Sequence, residues 1–161
     1  MLKNRQQAVV YLAVTILVFL VIAIIGGGWP QAGAGEDERQ VIKAAVAAYF
    51  ERMPDDLYKI PEAELKALID QDDPDIFILD IRGAADYAAG HIKGAVNIPF
   101  AEIGRNLNKL PADRMIIVYC YTGQTGGQTT AALNLAGYQA RSLNGGMNNG
   151  WLKMGYSVVT D

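Results

Sequence analysis

The 161-residue chain predicts an α/β domain with a mainly parallel central sheet flanked by helices. Three observations carry this. "IFILDI" (Ile76–Ile81) and "RMIIVYC" (Arg114–Cys120) are continuously apolar rather than alternating, as in strands covered on both faces. Both runs are short and rich in β-branched residues, which argues against helices. Stretches with helical spacing lie before, between and after them, so strands and helices take turns along the chain.

The first 35 residues read as a region apart. "MLKNRQQ" is polar and basic, Ala8–Ile25 is eighteen residues without a charge, and a glycine-rich, then charged, stretch follows. That order is the pattern of an export segment. The run exceeds a secretory core of about 7–15 residues and just reaches the ~17 needed to span a bilayer. Ala32-Gly33-Ala34 is an acceptable small-x-small cleavage site. A signal peptide cleaved near Ala34 and an uncleaved transmembrane anchor over residues 8–25 both stay open, with length leaning to the anchor. Lys3 and Arg5 keep the leading end cytoplasmic, so either outcome puts the following domain outside the cytoplasmic membrane.

Residues 36–59 are expected to form a helical linker, with an amphipathic helix over Glu38–Met53 that stops before Pro54 and serves as spacer or packs on the domain. Residues 60–161 form the domain itself. Pro61 opens a helix with Leu65, Leu68 and Ile69 on one face. "DDPD" ends it and the Ile76–Ile81 strand follows. "AADYAAGH" reads as a short helix closed by Gly90, "AVNIP" as a short strand and "AEIGRNLNKLP" as weakly helical. After the second buried strand, Gln128–Gly137 is helical, "YQARSL" is a third core strand and "NNGWLKMGY" a last helical turn or two.

Composition excludes several functions. There are 14 basic and 17 acidic residues, and removing Lys3 and Arg5 leaves 12 against 17 beyond the apolar run. A mildly acidic domain is a poor partner for nucleic acid. One cysteine and one histidine exclude an internal disulfide, a Cys-x-x-Cys redox pair and a Cys/His zinc site. No metal and no organic cofactor are expected.

The lone thiol, Cys120, stands where a buried strand meets a short loop, Tyr121–Gly127, with glycines at 123, 126 and 127. In a parallel sheet this is the carboxyl edge, where open α/β folds bind ligands. A glycine loop there can curl its N–H groups inward into an anion nest, and the next helix adds its positive end. A thiol at that centre is expected to have a lowered pKa and to act as a nucleophile.

Four stretches complete the pattern: "ILDIRGAADYAAGHIKGAVNIP" (Ile78–Pro99), "IIVYCYTGQT" (Ile116–Thr125), "AALNLAGY" and "LNGGMNNGWLKMGY". The first carries Asp-x-Arg followed by Gly-His-Ile-x-Gly-Ala-x-Asn-Ile-Pro, and the second a six-residue loop led by cysteine. In this order and spacing the domain resembles the rhodanese, or sulfurtransferase, family after residue 60.

The resemblance implies a rhodanese-like fold and a persulfide mechanism: Cys120 takes sulfane sulfur from a small donor (thiosulfate, polysulfide or persulfide) and passes it to a thiol, cyanide or another nucleophile. It gives Tyr121, Thr122, Gly123, Gln124 and Thr125 the role of cradling the persulfide, with the Thr125 hydroxyl adding a bond to sulfur. A rival reading is a non-enzymatic persulfide carrier or sulfur-sensing module serving a partner protein. Asp80 and Arg82 are read first as a pair tying the strand-end loop, and otherwise as support in which Arg82 lends positive field to the pocket. His91 is expected in a structural turn rather than as a base, and Asp86 to cap or pair locally. Tyr121 and Met147 either line the pocket or pack.

Two departures from the family pattern stand out. "CYTGQT" holds no basic residue, which sets thiosulfate apart from the other donors. "GGMNNGW" has one residue more than expected between Met147 and Trp151, predicting a widened turn near the pocket rim. The position six after Cys120 is Gly126, so the Cys-x5-Arg loop of related phosphatases is not met.

Overall fold

A computed structural model describes residues 35–160, and the export expectation lies outside the described residues. Among the described residues no helix is long and apolar enough to cross a membrane. The chain divides into two units, residues 1–40 and 41–161. Helix α1 (Glu36–Glu51) begins in the first, runs on into the second and stops before Pro54, as its sequence predicts. None of its residues is buried; Tyr49 stacks on Tyr58 at 5.3 Å between ring centroids.

Within residues 41–160, β1 (Lys59–Ile60), β2 (Ile76–Asp80), β3 (Val96–Asn97), β4 (Met115–Tyr119) and β5 (Ala140–Leu143) form a five-stranded sheet in the order β1-β5-β4-β2-β3. Every neighbouring pair is parallel, with β4 central: Asp80 lies beside Tyr119, and Val118 beside Ser142. Helices α2 (Glu62–Asp70), α3 (Ala84–Ala89) and α4 (Gln124–Leu135) provide the crossovers together with two 3-10 turns, Phe100–Arg105 and Leu107–Lys109. Edge strand β1 has no counterpart in the sequence reading, because two residues are too few to show a period.

Alternation along the strands divides the core. Ile78, Ile117, Tyr119 and Leu143 pack to one side with Leu65, Met147 and Trp151. Leu79, Ile116, Val118 and Cys120 pack to the other with Leu133 of α4. Each such aliphatic side chain contributes about 1.5–3 kcal/mol when fully buried. The same alternation sets the cysteine on the face that α4 covers.

The expected start of α4 needs correction: the helix begins at Gln124, not Gln128. The connection is therefore Tyr121–Gly123, and Gly126 and Gly127 belong to the first helical turn. First-turn amides have no partner inside their own helix, and here a sulfur atom meets one of them.

Candidate active site

β4 delivers Cys120 just past its carboxyl end, with the residue only 2% exposed. Its Sγ accepts hydrogen bonds from the backbone N–H groups of Gly123 (3.2 Å) and Gly126 (3.3 Å). The Thr125 hydroxyl and the Thr122 amide lie near it as well and favour its anionic form. Burial alone would push the thiol up; the donors of Thr125, Gly126, Thr122 and Gly123 outweigh it and hold the thiol below its ordinary value. Of the loop residues expected to form the cradle, Thr122, Gly123 and Thr125 meet the sulfur, whereas Tyr121 and Gln124 make no hydrogen bond to it. Gly126 lies outside the set that the family pattern supplied. The glycine content of the loop was the signal for it.

Backbone geometry turns the amides inward. Gly123 has φ +92°, and a Cβ there would lie 2.6 Å from the Asn144 carbonyl oxygen. Gly146 has φ +62°, and its Cβ would lie 2.6 Å from the Cys120 carbonyl oxygen and 2.7 Å from the Gly123 nitrogen. Opposite the sulfur, the Met147 N–H donates to the Cys120 carbonyl and the Asn148 N–H to the Tyr121 carbonyl, each at 2.8 Å. With these carbonyls held from outside, the N–H groups of the turn are left to Sγ.

Both donors from outside belong to Gly146–Trp151, a π-helical turn in which the Leu152 N–H reaches the Met147 carbonyl five residues back at 2.9 Å. The extra residue in "GGMNNGW" is taken up here as the wider turn that the sequence predicts. Met147 is 1% exposed and packs in the core beside Trp151, so it is a packing residue.

Asp80 and Arg82 meet in a buried ion pair. The Arg82 Nη2 lies 2.6 Å from Asp80 Oδ2, and the same nitrogen donates to the Gly90 carbonyl at 2.8 Å. Asn97 Nδ2 donates to the backbone carbonyls of both residues, at 3.0 Å each. Burial works against the guanidinium charge, but its bonds to Asp80 hold its pKa above the ordinary value. No hydrogen bond joins Arg82 to the sulfur, and its charge is matched where it lies. The pair ties the strand end, and the charge of Arg82 also reaches the Tyr121 hydroxyl of the loop.

His91 is buried, with Nδ1 3.0 Å from the Tyr87 carbonyl oxygen and its ring stacked on Tyr87 at 3.8 Å. Its backbone bridges Val159, which fits a structural turn. The expectation for Asp86 is corrected. Its carboxylate accepts a 2.6 Å hydrogen bond from the hydroxyl of Tyr121, 35 residues away, and the Gly83 N–H donates to that hydroxyl at 3.2 Å. The bond to Asp86 raises the phenol pKa.

A thiol in a ring of donors at the carboxyl edge of a parallel sheet matches a known family. Residues 61–153 fit the profile described as a rhodanese-like domain. The chain belongs to the rhodanese-like family. This domain is 33% identical over 89 residues to a sulfurtransferase of Allochromatium vinosum, a match spanning 55% of this chain and 82% of that one. It is 39% identical over 84 residues to a helix-turn-helix-type transcriptional regulator of Mycobacterium tuberculosis, covering 52% of this chain but only 35% of the regulator. Among solved structures, a rhodanese-related protein of Thermoplasma volcanium superposes with a TM-score of 0.58 at 26% identity, over 64% of this chain and 98% of that one. The rhodanese-like α/β fold read from the sequence is thus the fold of the chain.

Proposed function

We propose that this rhodanese-like domain is a sulfurtransferase that carries sulfane sulfur as a persulfide on Cys120. The observation that carries the reading is the set of donors around Sγ, from Gly123, Gly126, Thr125 and Thr122. Such a ring suits a thiolate and equally an anionic persulfide one atom longer. The relative named a sulfurtransferase supports the same chemistry.

With thiosulfate as donor, the Cys120 thiolate attacks the outer sulfur. A new S–S bond forms, the S–S bond of thiosulfate breaks, and sulfite leaves with the electron pair, giving Cys–S–S⁻. An acceptor such as cyanide then attacks the outer sulfur and leaves as thiocyanate, restoring the thiolate. A thiol acceptor leaves as its own persulfide. The chain's part is to hold the sulfur anion while bonds change on either side of it. Tyr121 and Gln124 shape the loop that Thr122, Gly123 and Thr125 use for this, and the Asp80–Arg82 pair fixes the strand end beside it. No step calls for a metal or organic cofactor.

A second reading, a carrier or sensing module that hands its persulfide to a partner protein, is favoured by the absence of a cation in "CYTGQT". Steady turnover separates the two. The full chain and a Cys120→Ser variant are supplied with thiosulfate, polysulfide or an organic persulfide, and cyanide-dependent thiocyanate release is followed. Catalytic release that depends on Cys120 supports the enzyme, and a single stoichiometric burst supports the carrier. Release equal in both proteins overturns both readings. The charge-free Ala8–Ile25 run supports a site of action outside the cytoplasmic membrane, anchored or secreted.

A further inference from the structure

We propose that Asp86, held against the active-site loop by the Tyr121 hydroxyl, is a specificity-determining residue that favours donors of low charge, organic persulfides, over dianionic ones. The proposal rests on the sulfur-transfer reading and adds a substrate class to it.

Tyr121 follows the nucleophile directly, and its side chain is 41% exposed. Its hydroxyl fixes the Asp86 carboxylate at 2.6 Å, and the Gly83 N–H at 3.2 Å locks the same hydroxyl. A carboxylate is therefore held in one place beside the loop instead of swinging free in solvent. None of the ion pairs among the described residues includes Asp86. Cys120–Gly127 contains no lysine or arginine, and Arg82 is buried on Asp80. A dianion approaching the loop thus nears a held carboxylate and a thiolate with no lysine or arginine among the loop residues, and like charges repel, most strongly at low ionic strength.

A persulfide with an uncharged body escapes most of this repulsion. The Cys120 thiolate attacks its outer sulfur, the S–S bond of R–S–SH breaks, and R–S⁻ leaves with the electron pair, so that Cys120 holds –S–SH. Atoms and charge balance without an oxidant or reductant.

The test uses the full chain with thiosulfate and, separately, the persulfide of 2-mercaptoethanol, with cyanide as acceptor and the Cys120→Ser rate subtracted. kcat/KM is measured for the native protein and for Asp86→Asn across a series of ionic strengths. Asparagine removes the charge, while its carbonyl can still accept the Tyr121 hydroxyl. The expected result is a rise of about two- to fivefold in the thiosulfate-to-persulfide ratio at low salt. Added salt should speed the native protein's thiosulfate reaction, and that dependence should flatten in the variant. An unchanged ratio and salt slope, or an equal fall with both donors, would overturn the role of Asp86 while leaving sulfur transfer intact. Native protein inert to both donors would overturn sulfur transfer itself, and this proposal with it.

Discussion

At Cys120 two opposed effects meet: burial disfavours a thiolate, and donors from Thr125, Gly126, Thr122 and Gly123 favour it more. A lowered pKa in the folded chain has two consequences of known sign. Alkylation of the native protein should rise with pH through a midpoint below that of the same thiol in the unfolded chain. The linked stability is fully present above the unfolded pKa and fades as pH falls through the folded one. Thr125→Val removes the one side-chain donor. It should move the alkylation midpoint up and slow alkylation at neutral pH by about three- to tenfold. A pH profile unchanged by that substitution would mean that the backbone alone holds the thiolate.

At the level of elements, the cradle is made by two turns pressed together, Tyr121–Gly123 and the π-helical Gly146–Trp151. Gly146→Ala would put a Cβ 2.6 Å from the Cys120 carbonyl oxygen at a φ of +62°. The strain of that conformation costs about 1–3 kcal/mol for a non-glycine residue, so urea unfolding should shift by at least this much. A variant of native stability and activity would show that the two turns are not coupled. The central strands β2 and β4 were legible because a strand covered on both faces must be continuously apolar. The start of α4 was not, since "QTGG" is a poor helix former and propensity places the boundary later. The cysteine supplies what propensity lacks, because its Sγ satisfies a first-turn amide. The wider turn after Met147 was legible from one extra residue, although its π-helical form was not.

Across the whole domain, the parallel order β1-β5-β4-β2-β3 brings the ends of β2 and β4 side by side, and so sets the Asp80–Arg82 pair beside the strand that carries Cys120. Asp80→Asn would leave a buried guanidinium short of its counter-charge, at a cost of about 3–5 kcal/mol. A stability loss of that size in chemical denaturation is expected, and none would mean that the pair is not structural. The nucleophile could be read from sequence because a strand end, glycines and a lone thiol lie close along the chain. The Tyr121–Asp86 contact could not, because only the folded sheet brings residues 35 positions apart together. Mass analysis of the full chain after exposure to a sulfane-sulfur donor tests the central claim, a persulfide cradled at Cys120, most directly. The account predicts one added sulfur, mapped to the peptide containing Cys120, absent in Cys120→Ser and discharged by cyanide. A chain that gains no sulfur from thiosulfate, polysulfide or organic persulfide would contradict it.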